Sequence, residues 1–168
     1  TVAEREGLSL AALSCFHVAD LTREHGTELV TPDPDNRQSV KSTPLSARLE
    51  ARIATLRPKL VILDTRADMF GGNEIDRVQV RTCNRRLRDL CLSSDMAILL
   101  LSHPSRTGLT TGDGQSGSTA WGNSVRSRLY LKRPDDDPDR RELSSEKANY
   151  GALGTSIPLR WRDGVFVV

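Results

Sequence analysis

The chain has 168 residues, 37% hydrophobic and 27% charged, which fits one soluble globular domain and excludes a disordered chain. Its formal net charge of +2 is too small to argue nucleic-acid binding by itself, and its 4% aromatic content argues against base-stacking platforms. Cys15, Cys83 and Cys91 form no CxxC pair, no apolar run approaches the ~20 residues of a membrane span, and no basic-then-apolar leader opens the chain, so the setting expected is a reducing cytoplasm, without a disulfide framework, zinc site or membrane partner.

Taken in chain order, Leu8, Leu10 and Leu13 suit a short helix over 4–14, and Phe16 and Val18 alternate in a strand over Cys15–Ala19. Residues 31–43 are polar, with Pro32 and Pro34, and read as a loop. Thr43 can cap a helix with Pro44 in its first turn, Leu45, Leu49, Ile53 and Leu56 along one face, and Pro58 beyond its end. Leu60–Leu63, closed by Asp64, is a continuous apolar run of the kind buried on both faces of a parallel sheet. A loop with Gly71 and Gly72 follows. Asn73 is placed to cap the next helix, whose stripe is Ile75, Val78, Cys83, Leu87, Leu90 and Cys91. Cys83 and Cys91 there read as small buried hydrophobes. Met96–Leu101 is a second buried strand.

Strands alternating with helices over 43–101 predict an α/β parallel sheet with right-handed crossovers. Residues 104–124, rich in Gly, Ser and Thr, read as a loop. Short alternating segments follow at Val125–Lys132, Leu143–Lys147, Ile157–Trp161 and Val165–Val168, with an acidic turn at Pro134–Arg141 and a hairpin turn at Asp163-Gly164. They predict an antiparallel meander at one edge of the sheet. The whole is one domain: an α/β part over 15–103, the loop over 104–124 and the meander over 125–168.

Ligands of open parallel sheets bind beyond the carboxyl ends of the strands. Asp64 and His103 sit there. An aspartate closing an apolar strand either holds Mg²⁺ against phosphates or satisfies the backbone of the next turn. His103 alone reads equally as a hydrogen-bonded structural residue. Arg106, Arg126, Arg128, Lys132 and Arg133 stand against the single acid Asp113 over 102–133. Alternation puts Arg126, Arg128, Tyr130 and Lys132 on one face and Val125, Ser127, Leu129 and Leu131 on the other. That face could meet phosphates, or could simply blunt a solvated sheet edge.

In combination these segments resemble a known family. Leu60–Asp64-Thr65, then Ala67-Asp68 and Phe70-Gly71-Gly72-Asn73-Glu74, is similar to the Walker B region of RecA-like ATPases of the RepA type, the hexameric replicative helicases of plasmids and phages. Leu99–Ser105 resembles the strand with the sensor histidine. Ser116–Trp121 with Asn123–Leu131 is similar to the loop and arginine-bearing strand, and Lys147-Ala148-Asn149-Tyr150-Gly151 to the late KANYG-type motif. The resemblance covers most of 59–168.

It implies a RecA-like core in a homohexameric ring, with ATP and Mg²⁺ at subunit interfaces. Asp64 would hold Mg²⁺ through water. Thr65 and His103 would lie at the nucleotide, His103 sensing the γ-phosphate. Arg126 would be the arginine finger acting on the neighbour's nucleotide, with Arg128 a second candidate, and Lys147 could reach the same interface. Single-stranded DNA would meet the loop at Arg106, Thr110, Thr111, Ser116 and Ser118.

One departure matters. None of the four lysines (Lys41, Lys59, Lys132, Lys147) follows a glycine, so the chain contains no GxxxxGK[ST] phosphate-binding loop. Glu4, Glu6 and Glu24 do not stand where the family has its catalytic glutamate. Arg66 also stands where relatives commonly have a hydrophobic residue. The N-terminal P-loop unit is therefore expected to be missing, as from a piece of a longer reading frame. This chain alone is expected to be inactive and to bind no ATP or Mg²⁺ tightly, with Leu60–Leu63 left at an open edge. The alternative is a non-catalytic RecA-like module that assembles with a partner or binds single-stranded DNA.

Overall fold

The computed structural model describes residues 6, 7, 9, 12–104, 117–134 and 137–168. The chain divides into two compact units: Arg23–Val125, and Thr1–Thr22 with Arg126–Val168.

In the first unit, β1 (Val30–Pro32) and β2 (Val40–Ser42) form an antiparallel pair inside the segment expected to be a loop. Three-residue strands leave too few positions for a visible alternation, yet Val30 and Val40 are both buried. The pair is held from α3, the helix Arg77–Ser94. Arg86 donates to the Val40 carbonyl at 3.0 Å and to the Ser42 hydroxyl, and Gln79 donates to the Arg37 carbonyl at 2.7 Å.

Helix α1 (Pro44–Leu56) forms as its sequence predicts. The Thr43 hydroxyl accepts from the Ser46 amide at 3.3 Å and donates to the Glu28 carbonyl at 2.6 Å, satisfying one orphan donor of the first turn. Arg57 closes the helix in the left-handed region, just before Pro58.

Strands β3 (Leu60–Leu63) and β4 (Ala97–Leu100) pair in parallel, Leu60 opposite Ala97 through Leu63 opposite Leu100. The expected burial on both faces does not hold. Leu63 is buried and Leu100 packs against the core cluster, but Leu60 and Ile62 are each 52% exposed and Leu99 42%. Among the described residues this sheet has two strands, so one apolar face and both outer edges stand open.

The one-turn helix α2 (Arg66–Met69) leads to α3, which starts later than expected. Asp76, not Asn73, is the cap, accepting from Val78 and Gln79 at 2.8 and 3.2 Å, while Asn73 closes the preceding turn by accepting from Ile75. Ile75 and Val78 consequently lie outside the buried stripe, at 73% and 50% exposure; Gln79, Val80, Cys83 and Asn84 are its buried residues. A further helix, α4 (Ala120–Ser124), stands where loop was expected. It delivers Trp121 to a core of Val30, Val40, Phe70, Val80, Cys83 and Ala120.

The second unit is a four-stranded meander of β5 (Ser127–Lys132), β6 (Arg140–Ala148), β7 (Ser156–Arg162) and β8 (Val165–Val167), each antiparallel to the next. It is a sheet of its own, not an edge of the parallel pair. Asp163 and Gly164 both take positive φ, the two-residue turn that the Asp-Gly pair predicts. Leu129 and Leu131 are 58% and 50% exposed, whereas Arg128 and Tyr130 are half-buried, so the more covered face of β5 is the basic one. Cys15–Ala19 is not a strand: it joins no sheet among the described residues, and Phe16 and Val18 are exposed. The helix expected over 4–14 falls largely outside the described residues.

Candidate functional site

The parallel ladder continues one step past the strands. Leu101 donates to the Leu63 carbonyl at 2.9 Å, and the Arg66 amide donates back to the Leu101 carbonyl at 2.8 Å. Leu101 thus lies beside Asp64, and His103 follows two residues later on the same carboxyl edge. Both Asp64 and His103 are exposed. The Asp64 carboxylate makes no ion pair or side-chain hydrogen bond among the described residues, so its lone pairs are available to a cation. Thr65 is differently engaged: its hydroxyl donates to Asp68 at 2.7 Å as the cap of α2.

Arg66 turns inward. It is 7% exposed, its guanidinium carbon lies 4.8 Å from the Trp121 ring centre, and it meets the Glu74 carboxylate at 3.4 Å. Phe70 completes the group in a T-shaped contact with Trp121, ring centres 5.1 Å apart. A buried arginine is tolerated when both its charge and its flat face are matched. Sequence reasoning registered Arg66 only as an oddity and took Trp121 for loop; the partners are too far apart in the chain for any local spacing to join them. Gly72 is required nearby, because a Cβ there would lie 2.7 Å from both Gln79 Oε1 and the Phe70 ring.

Arg106, Thr110, Thr111 and Ser116 lie outside the described residues. Ser118 is buried, its amide donating to the Glu74 carbonyl at 2.8 Å and its hydroxyl accepting from the Ala120 amide at 3.2 Å. In this conformation it anchors the chain to the loop between α2 and α3 rather than presenting a hydroxyl to DNA. Gly117, at φ 71°, allows that approach, since a Cβ there would sit 3.0 Å from the Glu74 carbonyl.

The remaining candidates belong to the meander. Arg126 is exposed, and its carbonyl accepts from the Asn149 amide at 3.0 Å. Arg128 pairs across the ladder with Lys147, and its guanidinium lies 3.9 Å from Glu146. The register shift after Arg128 leaves Glu146 as the extra residue of a bulge. Two cations directly opposite each other repel, and Glu146 offsets part of that.

No group of three or more His, Cys, Asp or Glu able to hold a metal occurs among the described residues.

A family described as AAA domain matches residues 9–108. The chain belongs to that family. No curated protein matches it. Two solved structures resemble this AAA-domain chain. One is described as an ATPase domain, with 17% identity and a TM-score of 0.60, covering 72% of this chain and 50% of that one. The other is a DnaB-like replicative helicase described with its interactions with primase, with 15% identity and a TM-score of 0.57, covering 72% and 34%. At these identities the likeness is one of fold: the AAA-domain chain shares the α/β fold of helicase ATPase domains. It spans half the length of the first and about a third of the second.

Proposed function

We propose that this chain is part of an ATP-hydrolysing RecA-like motor, a RepA-type replicative DNA helicase or DNA-dependent ATPase of a plasmid or phage. The observation that carries the reading is that Asp64 and His103 each follow the carboxyl end of one of two hydrogen-bonded parallel strands, with the Asp64 carboxylate exposed and without a partner among the described residues. Leu60–Asp64 then serves as the Walker B element. Bound Mg²⁺ would neutralise charge on the phosphate oxygens, held by Asp64 through a water. His103 would donate to a phosphate oxygen.

Arg126 is the arginine finger of this reading, with Arg128 and Lys147 beside it, serving the nucleotide of the next subunit in a homohexamer. The segment around 106–118 would follow single-stranded DNA. The phosphate-binding loop and the catalytic glutamate lie outside these 168 residues, so this chain alone does not turn over ATP.

The test begins with the DNA upstream of the Thr1 codon, translated in frame. A GxxxxGK[ST] motif there, with DNA-stimulated phosphate release by the longer protein, is the expected result. Asp64→Ala then abolishes release, and Arg126→Ala lowers it about 10³-fold. Phosphate release by the 168-residue chain itself, lost in Asp64→Ala, would overturn the division of the site. A start codon beside Thr1 without that motif would make the chain a non-catalytic module that assembles with an intact partner.

A further inference from the structure

Helix α3 carries a second basic surface. At 100° per residue, Arg77, Arg81, Arg85 and Arg88 fall within an arc of about 80°, running roughly 16 Å along the helix. All four are exposed. Arg77, Arg81 and Arg85 form no ion pair and no side-chain hydrogen bond among the described residues, and Arg88 reaches only the Ser124 carbonyl, at 3.4 Å. Asp89 is the helix's one acid and is not ion-paired with Arg85. Arg77 also stands in the first turn, where the helix dipole disfavours a cation.

From this stripe we infer that α3 binds the phosphodiester backbone of one nucleic-acid strand, without sequence preference. The row is narrow, so it follows a single line of phosphates rather than filling a groove. It is made of arginine alone, the side chain whose planar fork suits phosphate oxygens. It has no aromatic or apolar centre; Leu92 lies on the same arc but beyond its last arginine, and Val78 lies beside its start. An acidic protein surface would need such an anchor to hold, whereas backbone contacts to nucleic acid do not. This surface lies outside the site proposed for ATP, and its test uses no nucleotide.

The experiment is fluorescence anisotropy of labelled oligothymidylate and of a mixed-sequence strand with the full 168-residue chain, over a salt series. Both strands bind alike, with affinity falling as salt rises. Replacing Arg77, Arg81 and Arg85 by Gln weakens binding by about tenfold or more and lowers the salt slope by about 2, three phosphate contacts at ~0.7 each. A control with Arg23→Gln, Arg52→Gln and Arg57→Gln, the same change in net charge, binds like the parent. Arg81→Glu, which adds acid–base pairs to the helix and so keeps it folded, also weakens binding.

Equal losses in the stripe variant and the control would overturn the inference as a net-charge effect. Loss in Arg106→Gln with none in the stripe variant would overturn it in favour of the 106–118 segment, leaving the proposed function standing. Binding of poly-glutamate in place of either strand would assign the stripe to an acidic protein instead.

Discussion

At the scale of single residues, the buried group beside the candidate site is the sharpest feature. Trp121 is packed by Arg66 over its ring and by Phe70 in a T-shaped contact. Trp121→Ala should cost about 3–5 kcal/mol in urea unfolding, the range for emptying a large core site. The Cys83 thiol is pushed up to about 11 by burial, against the opposing effect of Arg86. A thiol raised in the folded state keeps its proton while the unfolded thiol, near 9, has lost it. Stability should therefore fall as pH rises from about 9 through about 11, by no more than roughly 2–3 kcal/mol. Urea melts across that window should show a shallower decline in Cys83→Ala than in the parent chain. Asp64 was legible in the sequence because its signal is local, an apolar run closed by one acid. The Arg66–Trp121 contact was not, since it joins two short helices far apart in the chain and leaves no periodic trace.

Among the elements, α1 was readable because cap, first-turn proline and apolar spacing agree. Thr43→Ala should lower stability by about 1 kcal/mol, and Thr43→Ser should restore most of it, in thermal or urea melts. Helix α3 was found but started too early, for Asn73 and Asp76 are both capping residues and only the contacts of Gln79 and Val80 decide between them. Its arginine stripe sets four like charges at neighbouring turns, each close pair costing about 0.2–0.5 kcal/mol. Arg81→Glu should thus raise the melting temperature while weakening nucleic-acid binding, a pairing of effects that a merely structural arginine would not produce. Strands β1 and β2 escaped the reading because three-residue strands in a Pro- and Asp-bearing segment look like turns.

For the molecule as a whole, the strands of the parallel pair and of the meander were legible, the alternation over Cys15–Ala19 made no strand, and which faces are covered was not legible. Side-chain alternation says which residues share a face but not which face another element will cover; that depends on what packs against it. Hence Leu60, Ile62 and Leu99 stand open on the parallel pair, and Leu129 and Leu131 on the meander. Open apolar strands with free edges invite association. Light scattering should show the 168-residue chain self-associating with concentration, and Ile62→Lys should reduce that without unfolding it. The grip of Arg86 and Gln79 on the β1–β2 pair also bears on the order of events when the chain is made. So short a hairpin cannot persist by itself, and the Arg37 and Val40 carbonyls find their side-chain donors along a completed α3. The hairpin therefore joins late, after the folding barrier is crossed, and damage to its clamp should speed unfolding while leaving the folding rate nearly untouched.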